Sequence, residues 1–141
     1  MEGPLADSLH FFKRHREDDP DQTVPGREFL DSCLKSVRAK LIAIVTAVAE
    51  APPPMFSGGG KWEAMHGDMK GFYEARTDGE NREHFRLFCV LEREGASVGL
   101  GGPSLVIITG MQKAFKTTFT DRDYEHVRVL EYFKRTPRSV A

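Results

Sequence analysis

The alternation of apolar and polar residues along this chain predicts a strand followed by a helical region. Leu9 to His15 carries aromatic residues on both faces and ends in charges, which indicates a first strand. Asp18-Asp19-Pro20-Asp21 closes that strand as a turn. From Pro25 onward, apolar residues recur at intervals of three and four, which is the spacing of an amphipathic helix. They are Phe29, Leu30, Cys33, Leu34, Val37, Leu41, Ile44, Val45 and Val48.

The helical region predicts two helices rather than one. Pro25 suits the first turn of a helix, where its missing N–H is not needed, and Ser36 can cap a second helix. We therefore predict two helices joined near Lys35. Pro52-Pro53-Pro54 ends the second helix, and Phe56 to Lys61 is predicted to be a flexible, glycine-rich connector.

The second half of the chain predicts a hairpin followed by a buried strand. Gly71 to Arg76 and His84 to Glu92 are typical of strands, and they flank a turn at Asp78-Gly79-Glu80-Asn81. A second glycine-rich turn spans Gly95 to Pro103. The β-branched run Leu105 to Thr109 that follows is typical of a central strand buried on both faces.

The C-terminal part predicts a last helix. Thr120-Asp121-Arg122-Asp123 has the form of a capping box, and Pro137 would stop the helix that it begins. The apolar residues of this helix share one helical stripe. They are Tyr124, Val127, Leu130 and Phe133. Residues 136–141 would then form a flexible tail, and we expect the same of residues 1–8.

Together these elements predict a single α+β domain over residues 1–141, with an antiparallel sheet of about four strands between the helices. A chain of 141 residues can bury a core without disulfides or metal. Its 40% hydrophobic and 29% charged residues are the balance of a globular protein. Cys33 and Cys89 lie in apolar surroundings without C-x-x-C spacing, so we expect buried thiols in a reducing compartment.

Charge and hydropathy exclude several classes of function. Met1 to Asp7 lacks the regions of a secretory signal, and the longest apolar run, Leu41 to Ala49, is too short to cross a bilayer. We therefore expect a cytoplasmic protein with no membrane partner. A net charge of −1 and a pI of about 6.5 argue against broad coating of nucleic acid. Any phosphate site must be a local group of cations.

Such a group follows the predicted strands. Arg76 ends the first strand of the hairpin, Arg86 lies within the second, and Lys113 and Lys116 follow the buried strand. Alternate residues of a strand share a face, so a suitable hairpin register would bring Arg76 and Arg86 together. Guanidinium forks match two phosphate oxygens, and a lysine adds a point charge. The pattern indicates a phosphate site and points toward RNA.

Other residues near these cations have competing interpretations. Glu74 is expected to pair with Arg76 and orient it, and either arginine could equally be a structural cation paired with an acid. His84 and His126 are the available imidazoles of this half, each open to a solvated or packed role. Tyr124 is expected in the core. The chain has no zinc-like spacing, no phosphate-binding P-loop and no glycine-flanked serine elbow, so no cofactor is implied.

The order of elements and motifs resembles the RelE/HigB-like toxins of type II toxin–antitoxin modules, in particular their phage-derived branch. The resemblance covers residues 9 to 133. The matching segments are Phe29-Leu30-Asp31-Ser32, Val37-Arg38-Ala39-Lys40, Tyr73-Glu74-Ala75-Arg76, Phe85-Arg86-Leu87-Phe88 and Gly110-Met111-Gln112-Lys113. Their order and spacing together are more specific than any one of them.

The resemblance implies a metal-independent endoribonuclease that cleaves messenger RNA, commonly in the ribosomal A site, and a cognate helix-turn-helix antitoxin as its partner. Carried over to this sequence, the scissile phosphate would be bound by three cations and the remaining residues would assist. The cations are Arg76, Arg86 and Lys113. Lys116 and Thr117 would assist in binding RNA, and His84 or Tyr132 would donate a proton.

Two alternatives remain open on the residues alone. Ala114 stands where the family often has a second lysine, which favours a non-catalytic module that keeps only the surface for an antitoxin or regulatory partner. The other alternative is a generic α+β domain whose cations are all solvated.

Overall fold

The computed structural model describes residues 9–51 and 60–141 and shows an α+β domain built on one mixed sheet. The helices are α1 (Pro25–Ser32), α2 (Lys35–Glu50) and α3 (Asp121–Arg128). The strands are β1 (Leu9–Phe11), β2 (Trp62–Ala64), β3 (Phe72–Asp78), β4 (His84–Glu92) and β5 (Ser104–Lys113). Short 3-10 turns lie at Gly67–Met69, Gly95–Val98 and Tyr132–Lys134. Predictions for residues 1–8 and Pro52–Pro54, and for most of the connector from Phe56 to Lys61, lie outside the described residues.

The sheet corrects the prediction of about four antiparallel strands. It has five strands in the order β1-β5-β4-β3-β2. β1 pairs with β5 in parallel, with Leu9 opposite Leu105, and both α1 and α2 as well as β2, β3 and β4 lie between these two strands in the chain. The additional strand, β2, is only three residues long, too short for its alternation to be read from sequence.

The helical region forms the two helices that its spacing predicts. α1 begins at Pro25, and the chain breaks at Cys33 and Leu34 before α2 starts at Lys35. Ser36 does not cap α2, because the N-cap residue is Leu34, which makes no side-chain capping hydrogen bond. The buried face of α2 then follows the predicted apolar residues. They are Val37, Leu41, Ile44, Val45 and Val48.

The sheet separates two apolar cores. Leu105 and Ile107 of β5 face the core under α1 and α2, while Val106 and Ile108 face the core on the α3 side. Leu105 to Ile108 are buried, as predicted for a central strand, whereas Thr109 at the end of the predicted run is half-buried. In β3 and β4 every second residue therefore reaches the α3 side of the sheet. In β5 a register shift opposite Phe88 and Cys89 changes the alternation, so that Lys113 lies on the α3 side with its partner His84.

The C-terminal helix begins as predicted and ends early. The Thr120 side chain accepts from the Asp123 N–H, and the Asp123 side chain accepts from the Thr120 N–H, which completes the capping box. The helix stops at Arg128 instead of running toward Pro137, because Glu131 adopts a left-handed backbone with φ of 56°. The predicted apolar stripe therefore divides between α3 and the 3-10 turn that follows.

The tail expected to be flexible makes backbone contacts with β1. Val140 forms an antiparallel bridge with Phe12, and the Ala141 N–H donates to the Phe11 carbonyl at 2.8 Å. The tail thus continues the sheet beyond β1. No helix in residues 9–51 or 60–141 is long and apolar enough to cross a membrane.

Gly110 sets how closely α1 approaches the sheet. A Cβ atom added at Gly110 would overlap the Phe29 ring of α1, on the side away from α3. We expect Gly110→Ala to destabilise the fold by about 1–3 kcal/mol, because either the ring or the helix must move. Urea unfolding would measure the loss. Gly101→Ala is the matched control, since a Cβ there meets nothing within 4 Å and should change stability little.

Candidate phosphate-binding site

The α3 side of the sheet changes from apolar to charged along its length. The hairpin register places Arg76 directly opposite Arg86, so the two guanidinium groups share this face as predicted. The next row places Asp78 opposite His84, and His84 in turn opposite Lys113. Charged side chains therefore occupy the end of the face where β3 and β5 finish and β4 begins.

Arg76 is held by two carboxylates. Its Nε donates to Glu74 Oε1 at 2.6 Å, and its Nη2 lies 3.0 Å from Glu63 Oε2. Glu74 is only 5% exposed, and its second oxygen is buried without a hydrogen-bond partner in the described residues. The geometry fits the expected orienting role of Glu74. Glu63, which lies on the unpredicted strand β2, is an additional partner that sequence reasoning missed.

Arg86 has no carboxylate partner among the described residues. Its Nη1 donates to the Phe85 carbonyl at 3.1 Å, and its guanidinium carbon lies 5.2 Å from the centre of the Phe119 ring. Desolvation by burial lowers the pKa of Arg86, and Arg76 acts in the same direction while Glu74 opposes it. Arginine remains protonated under any ordinary condition. Arg86 is thus a partly buried positive charge without an ion pair in the part of the chain that the structure describes.

Lys113 is engaged by α3. Its Nζ lies 3.0 Å from Asp123 Oδ2, the same oxygen that accepts from the Thr120 N–H in the capping box. The Thr120 hydrogen bond and, second, the bond from Lys113 lower the pKa of Asp123. Asp123 is therefore a carboxylate at neutral pH. A phosphate would have to compete with it for Lys113.

His84 lies beside a carboxylate at the same end of the face. Its Nδ1 is 3.3 Å from Asp78 Oδ1. The Asp78 carboxylate can therefore orient the imidazole ring at the charged end.

Lys116 and Thr117 do not join the two arginines. Both lie in the exposed loop after β5, where Lys116 adopts φ of 64° and extends over the Phe115 ring, 5.6 Å from its centre. The Thr117 hydroxyl donates to the Ala114 carbonyl and closes the loop. Both residues are therefore separated from the paired arginines, because the chain turns away immediately after β5 ends.

Tyr132 lies in the apolar core rather than at the charged end. It is 2% exposed and its hydroxyl donates to Glu92 Oε2 at 2.8 Å, where Arg138 Nε also donates. Burial, followed by the hydrogen bond to Glu92, raises the pKa of Tyr132. Glu92 ends β4 six residues beyond Arg86, roughly 20 Å along the strand. Tyr132 is therefore an anchor for the C-terminal segment and not a proton donor at the arginines.

We expect Tyr132→Phe to lower the free energy of unfolding by about 1 kcal/mol, because one buried hydrogen bond is lost while Glu92 keeps Arg138. Any activity of the charged end should be unchanged. Thermal unfolding and an activity assay on the same preparation would test both parts. A large loss of activity at unchanged stability would show that Tyr132 takes part in the reaction.

A cleft of about 480 Å³ opens at the charged end and is lined mainly by cations. We call it the basic cleft. Its charged lining is Lys40, Lys61, Arg76, Arg86, His84 and one carboxylate, Asp78, with Gly60 and Thr77 completing it. Lys40 comes from α2, and Lys61 is placed next to Arg76 because its carbonyl accepts the Arg76 N–H at 2.8 Å. Sequence reasoning missed both lysines, since neither belongs to a strand pattern.

A second cleft, of about 470 Å³, lies on the other side of Arg76 and has a different character. Its charged lining is Glu63, Asp68, Glu74, Asp121, Arg76, Arg128 and His66, with Tyr124 beside them. Acids outnumber fixed cations there. An anionic ligand is therefore favoured in the basic cleft, where the excess positive charge and the unpaired Arg86 coincide.

Comparison with known proteins adds no relative: the chain matches none of the protein-family models, curated proteins or solved structures against which it was compared. Its function must therefore be inferred from the geometry and chemistry of the charged end.

Proposed function

We propose that this protein is a RelE-like toxin that cleaves messenger RNA, and that the basic cleft binds the scissile phosphate. The observation that carries the proposal is Arg86, a partly buried guanidinium without a carboxylate partner among the described residues, directly opposite Arg76. Leaving such a charge uncompensated is unfavourable unless a ligand supplies the anion. The cleft is open, as a site for one strand of RNA requires.

In this reaction the main contribution of the protein is positive charge at the phosphate. The RNA 2′-hydroxyl loses its proton to solvent as its oxygen attacks the adjacent phosphorus. The bond to the 5′-oxygen breaks, and the products carry a 2′,3′-cyclic phosphate and a 5′-hydroxyl. Arg76 and Arg86 would stabilise the extra negative charge of the pentavalent transition state. His84, oriented by Asp78, would give its proton to the leaving 5′-oxygen. The nucleophile belongs to the substrate, so the scheme requires no metal.

Two partners follow from this proposal. A helix-turn-helix antitoxin encoded by a neighbouring gene would bind the toxin and hold it inactive. Messenger RNA on the ribosome would be the substrate if the ribosome presents the strand to the cleft. Co-expression with the neighbouring gene product should restore growth to cells that the toxin arrests.

The test is to induce the protein in bacteria, measure growth, and map new RNA ends. We expect growth arrest and new 5′-hydroxyl ends within coding sequences. Purified protein should release the same ends from RNA, with or without ribosomes, and a single 2′-deoxy substitution at the cleaved position should block release. Arrest without new RNA ends would contradict the nuclease proposal.

A second candidate function is a non-catalytic module of the same fold that binds an antitoxin or regulatory partner. The observation that favours it is the ion pair between Lys113 and Asp123, which removes one of the three expected phosphate cations. Ala114 supplies no replacement. Under this alternative the protein would bind its partner and leave both growth and RNA unchanged.

A further inference from the structure

An exposed aromatic ring lies close to two cations, just beyond the charged end of the sheet. The Phe115 ring is 44% exposed, with Arg82 Cζ 5.3 Å and Lys116 Nζ 5.6 Å from its centre. Arg82 belongs to the turn between β3 and β4, whereas Phe115 and Lys116 follow β5. Two loops that are distant in sequence thus build one surface, which we call the aromatic clamp.

The charges of the aromatic clamp are not neutralised by ion pairs. Neither Arg82 nor Lys116 forms a salt bridge within the described parts of the chain. The neighbouring Glu83 instead accepts from the Asn81 N–H at 2.7 Å. A ligand that carries negative charge and a flat apolar face would complement all three side chains.

The backbone at both cations is unusual. Arg82 and Lys116 adopt φ of 62° and 64°, a left-handed conformation that glycine enters far more easily than other residues. Within residues 9–51 and 60–141 the other non-glycine residues with positive φ are Gln22 and Glu131. The chain therefore keeps a cationic side chain at two positions where glycine would be less strained. Strain of this kind is typical of functional positions.

We propose that the aromatic clamp binds one nucleotide of single-stranded RNA next to the scissile phosphate, with its base stacked on Phe115 and the adjoining phosphates contacting Arg82 and Lys116. This inference rests on the proposed function. Arg82 precedes His84 by two residues, Phe115 follows Lys113 by two, and His84 pairs with Lys113 across the strands. The clamp is thus the next surface that a strand leaving the charged end would meet. Stacking accepts any base, so no sequence preference is expected.

Binding can be measured apart from cleavage by fluorescence anisotropy, with a labelled single-stranded RNA that is 2′-O-methylated throughout and cannot be cut. Phe115→Leu should weaken binding by roughly tenfold, because it keeps apolar bulk and loses the ring. Phe115→Tyr, which keeps the ring, should stay within about twofold of wild type. Equal binding by wild type and Phe115→Leu would overturn the proposal.

The variant Lys116→Gly distinguishes a role of Lys116 in RNA binding from a role in folding. It should weaken RNA binding and reduce the slope of log affinity against log salt by about one, as expected for one lost phosphate contact. Because glycine accepts the left-handed backbone, the midpoint of thermal unfolding should not fall. If the slope of log affinity against log salt is unchanged, Lys116 does not contact a phosphate of the bound RNA.

The failure of this inference can be told apart from failure of the proposed function. If the wild type cleaves RNA and Phe115→Leu binds RNA normally, the proposal for the aromatic clamp is wrong and the proposal of RNA cleavage is retained. If the wild type cleaves no RNA while Phe115→Leu still loses RNA binding, the proposal of RNA cleavage is wrong and the proposal for the aromatic clamp is retained. If Phe115→Leu keeps RNA binding and instead loses a co-purified antitoxin, the surface serves a protein partner and the proposal is overturned.

Discussion

The variant Arg86→Met is expected to lose RNA cleavage by about 100-fold or more while remaining folded. The loss follows from removing a cation that faces the developing charge of the phosphate. Stability should stay within about 1 kcal/mol of wild type, because no carboxylate of the described chain loses an ion-pair partner. The relief from desolvation also offsets the lost contact with the Phe119 ring. Cleavage rates and urea unfolding on one preparation would test both statements.

Arg86→Lys is the matched control for this prediction. Lysine keeps the charge and loses the planar fork that can contact two phosphate oxygens, so cleavage should fall to an intermediate level. Wild-type cleavage by Arg86→Met would exclude Arg86 as a phosphate ligand. A strongly destabilised Arg86→Met would instead reveal a structural role for this side chain.

Local patterns predicted most of the elements of this fold. β4 spans His84–Glu92, as its pattern of apolar residues predicts, and the capping box at Thr120 starts α3. These features depend on neighbouring residues alone. The parallel pairing of β1 with β5 joins residues 96 positions apart at Leu9 and Leu105, and no local pattern encodes it. The early end of α3 depends on the left-handed backbone of Glu131, and a glutamate does not predict this conformation from sequence.

The same division holds for the candidate site. The two arginines were predictable, because strand parity and a hairpin place Arg76 and Arg86 on one face. Lys40 and Lys61 reach the basic cleft only through packing of α2 and pairing beside β3, so their sequence positions carry no signal. The engagement of Lys113 by Asp123 likewise depends on where α3 docks. The sequence predicts which charged residues lie on strands, whereas tertiary structure determines which of them form ion pairs.

Arg76 is expected to behave differently from Arg86, because its removal leaves a buried carboxylate without its partner. Arg76→Ala should lower the free energy of unfolding by roughly 2–3 kcal/mol. We place the loss at the lower end for buried pairs, since the Arg76 side chain is 35% exposed and partly screened by solvent. Glu74 is 5% exposed and one of its oxygens already lacks a hydrogen bond, and within residues 9–51 and 60–141 it has no other cation in ion-pair contact. A loss of activity in Arg76→Ala alone would therefore mix catalysis with unfolding.

The double variant Glu74→Met/Arg76→Met separates the two effects. Replacing both members of a buried ion pair with apolar residues of similar size removes the stranded charge, so most of the lost stability should return. Glu74 lies opposite Phe88, which offers an apolar neighbour for the new side chain. Free energies of unfolding in urea for wild type, Glu74→Met, Arg76→Met and the double variant give the coupling free energy between Glu74 and Arg76. A double variant as unstable as Arg76→Ala would show that Glu74 does not depend on this pair. A stable double variant without cleavage would assign Arg76 its role at the phosphate independently of its role in folding.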